Sequence, residues 1–160
     1  MQVTRKGIAT PVEGIQPTVG ALAPSFKIAN TDGGYTSLAD LKGKKAILSV
    51  FPDINTRVCD LQTRNFFKLA STLTDTIIVN ISNNTIEQLT DWCAVADIDT
   101  LMLSDTELEF ARAYGLYMPE YNMLARSVFV IDEDGKLIYS EICPEMAAEP
   151  DYQAAIAAAK

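Results

Sequence analysis

Three cysteines, Cys59, Cys93 and Cys143, carry most of the chemical reach of this chain, which contains no histidine. Without imidazole there is no Ser-His-Asp or Cys-His nucleophile, no His-ligated metal and no side chain that titrates unaided near neutrality. Any cysteine chemistry must then draw on backbone dipoles, hydroxyls and cationic side chains. Cys59 has such surroundings. It closes the stretch Pro52-Asp53-Ile54-Asn55-Thr56-Arg57-Val58-Cys59, between an apolar run ending at Phe51 and a helical pattern beginning near Thr56. With Thr56 as N-cap, Cys59 falls in the first helical turn, where unpaired backbone N–H groups and the positive end of the macrodipole favour a thiolate. The Thr56 hydroxyl can bond a nearby anion or a bound oxygen substrate, while Pro52 removes a donor, stiffens the loop and shields the sulfur. A small buried residue packing a helix start is the competing reading, and placement alone leaves both open.

Arg126 stands at the entry of the apolar run Ser127-Val128-Phe129-Val130-Ile131. A guanidinium drawn towards a core needs an anionic partner. A thiolate is one candidate and any of the 21 carboxylates another, with escape of the head group to solvent a third. Position alone favours a structural salt bridge. Cys93 follows Cys59 by 34 residues, beside Trp92 in a different helical stretch. Spacing alone favours an independent buried thiol. The alternative is a sulfur that attacks oxidised Cys59, which needs the two Cα atoms within about 7 Å and therefore a helix that shifts or locally unwinds. Cys143, next to Pro144, reads as structural or incidental.

The elements that must position these residues follow from periodicity. The length of 160 residues suits one domain, taken here as 1–160, and 48% apolar content can fill a core. A formal charge of −8 argues against a nucleic-acid or anionic-membrane partner, both of which want clustered Lys and Arg. Neither an N-terminal apolar leader nor a run of about 20 apolar residues stands out. The expectation is a cytoplasmic protein with reduced thiols. A small hairpin is expected around Gly7, a strand at 26–28, a turn at Asp32-Gly33-Gly34 and a helical turn at 37–41. Strands at 46–51, 76–81 and 101–103 alternate with helices from about Thr56 to Leu73, Ile86 to Ala96, and Ser104-Asp105 to Tyr114. Asp134-Gly135 marks a hairpin between 127–131 and 136–139, and an Ala-rich helix capped by Asp151 ends the chain. This alternation predicts an α/β fold with a mixed sheet between helices, compatible with a thioredoxin-like three-layer arrangement.

These residues also resemble a known family. Pro52-x-x-x-Thr56-x-x-Cys59 looks like the peroxiredoxin active-site motif, and Asn55-Thr56-Arg57-Val58-Cys59, with Arg64 and Phe66 beyond, is similar to its thiol peroxidase branch. Val19-Gly20 with Ala23-Pro24-x-Phe26, Trp92-Cys93, Leu103-Ser104-Asp105, Tyr114-Gly115, Leu124-Ala125-Arg126-x-Val128 and Glu149-Pro150-Asp151-Tyr152 agree in order and spacing. The resemblance implies a thioredoxin fold with an N-terminal hairpin, a peroxidatic Cys59 and a resolving Cys93. Thr56 and Arg126 would bind the peroxide and hold the thiolate, and Pro52 would shield the pocket. It further implies a hydroperoxide substrate, thioredoxin or a similar dithiol as reductant, a homodimer, and no metal, flavin or haem. Two departures stand out. Asn55 replaces the usual Asp before the threonine, and Ser82-Asn83-Asn84-Thr85-Ile86 lacks the Asp-Leu-Pro-Phe sequence ahead of the resolving helix. A peroxide-responsive redox sensor would use the same thiols, a thioredoxin-type reductase would want the missing C-x-x-C pair, and a zinc site would need a carboxylate or water to join the three cysteines.

Overall fold

Alternating burial along short apolar runs builds one seven-stranded mixed sheet in the computed structural model, which describes residues 1–160. Strands β1 (Gln2–Arg5) and β2 (Ile8–Pro11) form the expected N-terminal hairpin, turning through Lys6 and Gly7, both at positive φ. β3 (Lys27–Asn30) pairs with β4 (Tyr35–Ser37) across the Asp32-Gly33-Gly34 turn. A single 3-10 turn, Leu38–Leu41, follows with a Ser37–Asp40 capping box. The alternating centre is β5 (Lys45–Val50), α1 (Arg57–Ala70), β6 (Thr76–Ser82), α2 (Ile86–Ala96), β7 (Leu101–Ser104) and α3 (Glu109–Tyr114). β8 (Tyr117–Met118) and β9 (Met123–Leu124) make a small separate ribbon. β10 (Ser127–Ile131), β11 (Leu137–Ile142) and α4 (Tyr152–Ala159) complete the chain.

The spatial order is β11-β10-β5-β6-β7-β3-β4, with β5, β6 and β7 parallel and the other pairings antiparallel. Period-two alternation sorts side chains between the two faces. Leu48, Val50, Val79, Ile81, Leu103 and Phe129 face a core shared with Phe110 and Tyr114 of α3 and with Val3 and Val12 of the N-terminal segment. Ile47, Ile78, Val128 and Val130 face the other way, onto Phe66 of α1 and Ala155 and Ile156 of α4. Met102 of β7 meets Leu89 of α2 on that same side. The result is the expected thioredoxin-like sandwich, helices on both faces of a mixed sheet.

The N-terminal segment is locked to α3 by a close backbone approach that only glycine permits. Gly115 ends α3 in the left-handed conformation (φ +66), and a Cβ there would lie 2.5 Å from the Ile15 carbonyl carbon. Gly14 (φ +102) is its counterpart, since a Cβ would meet the Gly115 Cα at 2.7 Å.

The structure adds three short strands to the sequence expectation, runs the last strand on to Ile142 and moves two helix boundaries. The edge strand β4 and the β8–β9 ribbon are too short for alternation to show them. α1 stops at Ala70 rather than Leu73, because the Ser71 and Thr72 hydroxyls bond back to the carbonyls of Lys68 and Leu69. α3 begins at Glu109, after Leu108 in the left-handed region, so Asp105 is not its N-cap. Its carboxylate still serves that end from a distance, accepting the N–H groups of Phe110 and Ala111 at 2.9 and 2.8 Å.

Asp105 is fully buried, and desolvation pushes its pKa up to about 6 against the pull of those two donors. The folded chain thus keeps this proton between about pH 4 and pH 6, where the unfolded chain has lost it. The stability Asp105 contributes is greatest below pH 4 and falls as pH rises through 6, by up to about 3 kcal/mol at about 1.4 kcal/mol per tenfold change in proton affinity. Urea unfolding of wild type and Asp105→Asn at pH 4 and pH 7 checks this. The wild-type advantage should shrink at pH 7; an advantage independent of pH would refute the burial argument.

Candidate active site

The site forms where β5 leaves the sheet. The Phe51 N–H still bonds the Ile81 carbonyl at 3.1 Å, after which buried Pro52 turns the chain into the loop that carries Asp53 to Thr56. Thr56 occupies the N-cap position of α1 in extended conformation, as its spacing predicts. Its hydroxyl makes no capping bond and instead donates to the Asp53 carbonyl at 2.7 Å, which leaves its oxygen lone pairs free to accept. The N–H groups of Arg57, Val58 and Cys59 have no acceptor in the chain, so the first turn presents three donors and the positive end of the helix dipole.

Cys59 is a free thiol with no exposed surface, in a cluster with Phe51, Ile54, Leu89 and Met102. It begins the inward face of α1, which continues through Gln62, Thr63 and Phe66. The amide of Gln62 is a bracket. It donates to Ser49 Oγ at 2.9 Å and to the Val50 carbonyl at 3.1 Å, and its oxygen accepts Arg126 Nη1 at 2.8 Å. Arg126 Nε donates to the Met146 carbonyl at 2.9 Å.

The structure overturns the salt bridge that position alone favours for Arg126. The one ion pair in the protein joins Arg64 to Asp60, and Arg126, 3% exposed, has only neutral acceptors. A buried guanidinium with no carboxylate keeps its charge and its unused Nη2 donors for something else. It opens on a cavity of ≈ 220 Å³ lined also by Pro52, Thr56, Val58 and Met123, with Arg5, Lys6 and Arg57 at its edge. Four cations and one carboxylate, Asp53, line this mouth of a chain whose net charge is −8.

Asn84 ties the loop to the start of α2. Its side-chain oxygen accepts the Ile54 N–H at 2.9 Å and the Ser82 hydroxyl at 2.8 Å, and its amide donates to Asp53 Oδ1 at 2.9 Å and Gln88 Oε1 at 3.1 Å. Asn55 donates to the same Asp53 oxygen through its backbone and side chain, at 3.0 and 3.2 Å, and the second bond is one that an Asp carboxylate in its place could not donate. Cys93, half-buried on α2, packs against the Cys59 cluster and donates to Met102 Sδ at 3.3 Å. Burial pushes the Cys93 thiol above its ordinary pKa, and the charge of Asp99 adds to the effect. Cys143 is buried, and desolvation, helped by Glu141, pushes it up to about 12, so it remains an inert thiol at neutral pH.

The fold thus gathers Pro52, Thr56 and Arg126 on one cavity beside the helix turn that carries Cys59, and sets Cys93 against the packing cluster of the same cysteine. Two contributors escaped the sequence reading. Gln62 looks like a surface residue, yet it shares the face of Cys59 and Phe66 at helical spacing, and that periodicity was the available signal. Nothing in the sequence marks Asn84, whose four partners come together only in the fold.

The sequence profile of the AhpC/TSA family matches residues 19–140. Proteins named thiol peroxidase from Listeria innocua and Bacillus subtilis are each 41% identical over 99% of this chain, covering 98% and 96% of their own lengths. A thiol peroxidase from Staphylococcus aureus is 42% identical over 99% of this chain and 98% of its own. Among solved structures, a peroxiredoxin-like protein from Aquifex aeolicus superposes with a TM-score of 0.89 at 24% identity, over 98% of this chain and 94% of that one. Sequence and fold together establish that this chain belongs to the AhpC/TSA family of peroxiredoxins, in its thiol peroxidase branch.

Proposed function

We propose that Cys59 is the sulfur that reduces the peroxide, that Cys93 resolves it, and that Thr56, Arg126 and Pro52 form the peroxide pocket. The observation that carries this reading is the carboxylate-free Arg126 guanidinium, held by Gln62 and Met146 and opening on the cavity beside the first turn of α1. The Cys59 thiolate attacks one oxygen of a hydroperoxide, the O–O bond breaks, and the departing oxygen takes a proton to leave as water or an alcohol. Cys59 becomes a sulfenic acid. Arg126, the Thr56 hydroxyl and the free N–H groups of α1 orient the peroxide and stabilise charge moving onto the departing oxygen. That assistance matters because lowering the basicity of a thiolate also lowers its nucleophilicity. The Cys93 thiol, kept protonated by its surroundings, does not compete for peroxide. It then condenses with the sulfenic acid, losing water and closing a disulfide within the chain. An external dithiol, thioredoxin or a similar protein, reduces that disulfide. On the family resemblance the working form is a homodimer in the cytoplasm.

The test is mass spectrometry of the protein after one equivalent of peroxide. A Cys59–Cys93 disulfide is expected, with Cys143 still a thiol. Cys93→Ser should undergo one rapid oxidation per chain and then stop, losing turnover with NADPH, thioredoxin reductase and thioredoxin. Sustained turnover of that variant would remove Cys93 from the cycle.

A further inference from the structure

Closing a Cys59–Cys93 disulfide demands that Cys93 turn away from Met102, to whose sulfur its thiol donates at 3.3 Å, while both thiols are free on intact helices. The two ends of α2 are held differently. Its N-terminus carries the Thr85–Gln88 capping box and the Asn84 amide contact, while Leu89 is its one fully buried residue. Beyond Leu89 the helix is anchored only by half-buried Trp92 and Cys93 against the Cys59 cluster, Val95 is 89% exposed, and the last turn closes on Asp97 in the left-handed conformation. A segment with so few buried contacts opens at low cost.

One side-chain hydrogen bond spans α1 and α2, and it joins the neighbours of the two cysteines. Trp92, just before Cys93, donates its indole N–H to Asp60 Oδ1 at 2.8 Å; Asp60 directly follows Cys59. The other carboxylate oxygen of Asp60 accepts Arg64 Nε at 2.9 Å, and the Arg64 guanidinium lies 5.4 Å from the Trp92 ring centroid. An exposed Asp–Arg pair alone contributes little. An indole donor on an ionised acceptor makes a stronger bond, and here it secures the weakly anchored half of a helix.

We propose that Asp60 is a positioning residue for the resolving half of the cycle. Through Trp92 it holds the second half of α2 shut, and release of that bond sets how fast Cys93 reaches oxidised Cys59. The inference rests on Cys93 being the resolving thiol. In the step concerned, the Cys93 sulfur displaces the hydroxyl of the Cys59 sulfenic acid; the S–S bond forms, the S–O bond breaks, and the thiol proton leaves with the hydroxyl as water. While the latch is shut, the sulfenic acid waits and can meet a second peroxide, which takes it to sulfinic acid.

Rapid-quench mass spectrometry of single turnovers tests this with Asp60→Ala and Trp92→Phe, the second variant keeping an apolar ring and removing only the donor. Oxidation of Cys59 should stay within about twofold of wild type, since neither residue lines the peroxide cavity. Disulfide formation should accelerate about five- to tenfold in both variants, with a matching fall in the sulfinic fraction at excess peroxide. Because the two side chains act through one bond, the double variant should be no faster than either single one. Wild-type disulfide formation with unchanged or slower closure in both variants overturns the latch alone. Absence of a Cys59–Cys93 disulfide in the wild type overturns the assignment of Cys93 and the latch with it.

Discussion

Cys59→Ser is expected to reduce peroxide consumption to the uncatalysed rate. The attacking species is a thiolate, and a serine hydroxyl at the same place remains protonated and is a far poorer nucleophile towards an O–O bond. Nothing else in the chain can substitute: Cys93 and Cys143 are both held as thiols, and there is no histidine to activate a hydroxyl. The serine hydroxyl would also be buried among Phe51, Ile54, Leu89 and Met102, at a cost of about 1–3 kcal/mol if it finds no partner. Cys59→Ala therefore serves as the companion variant, since it avoids the buried hydroxyl while removing the sulfur. Peroxide loss followed continuously, beside thermal melts of both variants, separates lost chemistry from lost fold. Wild-type consumption by either folded variant would refute the role of Cys59.

Arg126→Met should slow the oxidation of Cys59 by about a hundredfold to a thousandfold, the scale on which a preorganised donor to a developing oxyanion is missed. Methionine fills much of the volume but supplies neither charge nor N–H groups. Its cost in stability comes from the Gln62 oxygen and the Met146 carbonyl, each of which loses its arginine donor. Arg126→Lys distinguishes the two effects. It restores a positive charge on a flexible stem but not the planar fork, so its oxidation rate should lie between wild type and methionine. Stopped-flow fluorescence of Trp92 under single-turnover conditions provides the readout. A methionine variant that folds and oxidises at the wild-type rate would leave Arg126 as a structural residue only.

Much of this architecture is legible in the sequence. The largely apolar runs at 46–51 and 76–81 suit strands covered on both faces, and the structure places them as the parallel pair β5 and β6. The helical stretch expected from about Ile86 to Ala96 is α2, and the structure adds the Thr85–Gln88 capping box that starts it. The helix onset at Arg57 followed from Thr56 and the end of the strand before it, so the position of Cys59 within the first turn was settled locally. Boundaries failed where hydroxyls or a remote carboxylate compete with the helix, at Ser71, Thr72 and Asp105.

The sequence by itself determined the order of the longer elements, the placement of Cys59 on a helix N-terminus and the exclusion of imidazole chemistry, because periodicity, capping and composition are properties of neighbouring residues. Tertiary structure alone decided what Arg126 faces. Its acceptors, Gln62 and Met146, lie 64 residues before it and 20 after it, and no local pattern distinguishes a guanidinium held by two neutral oxygens from one paired with a carboxylate. The Asn84 knot and the Asp60–Trp92 bridge belong to the same class. Each joins side chains about 30 residues apart that meet only after parallel crossovers have set both helices on one face of the sheet.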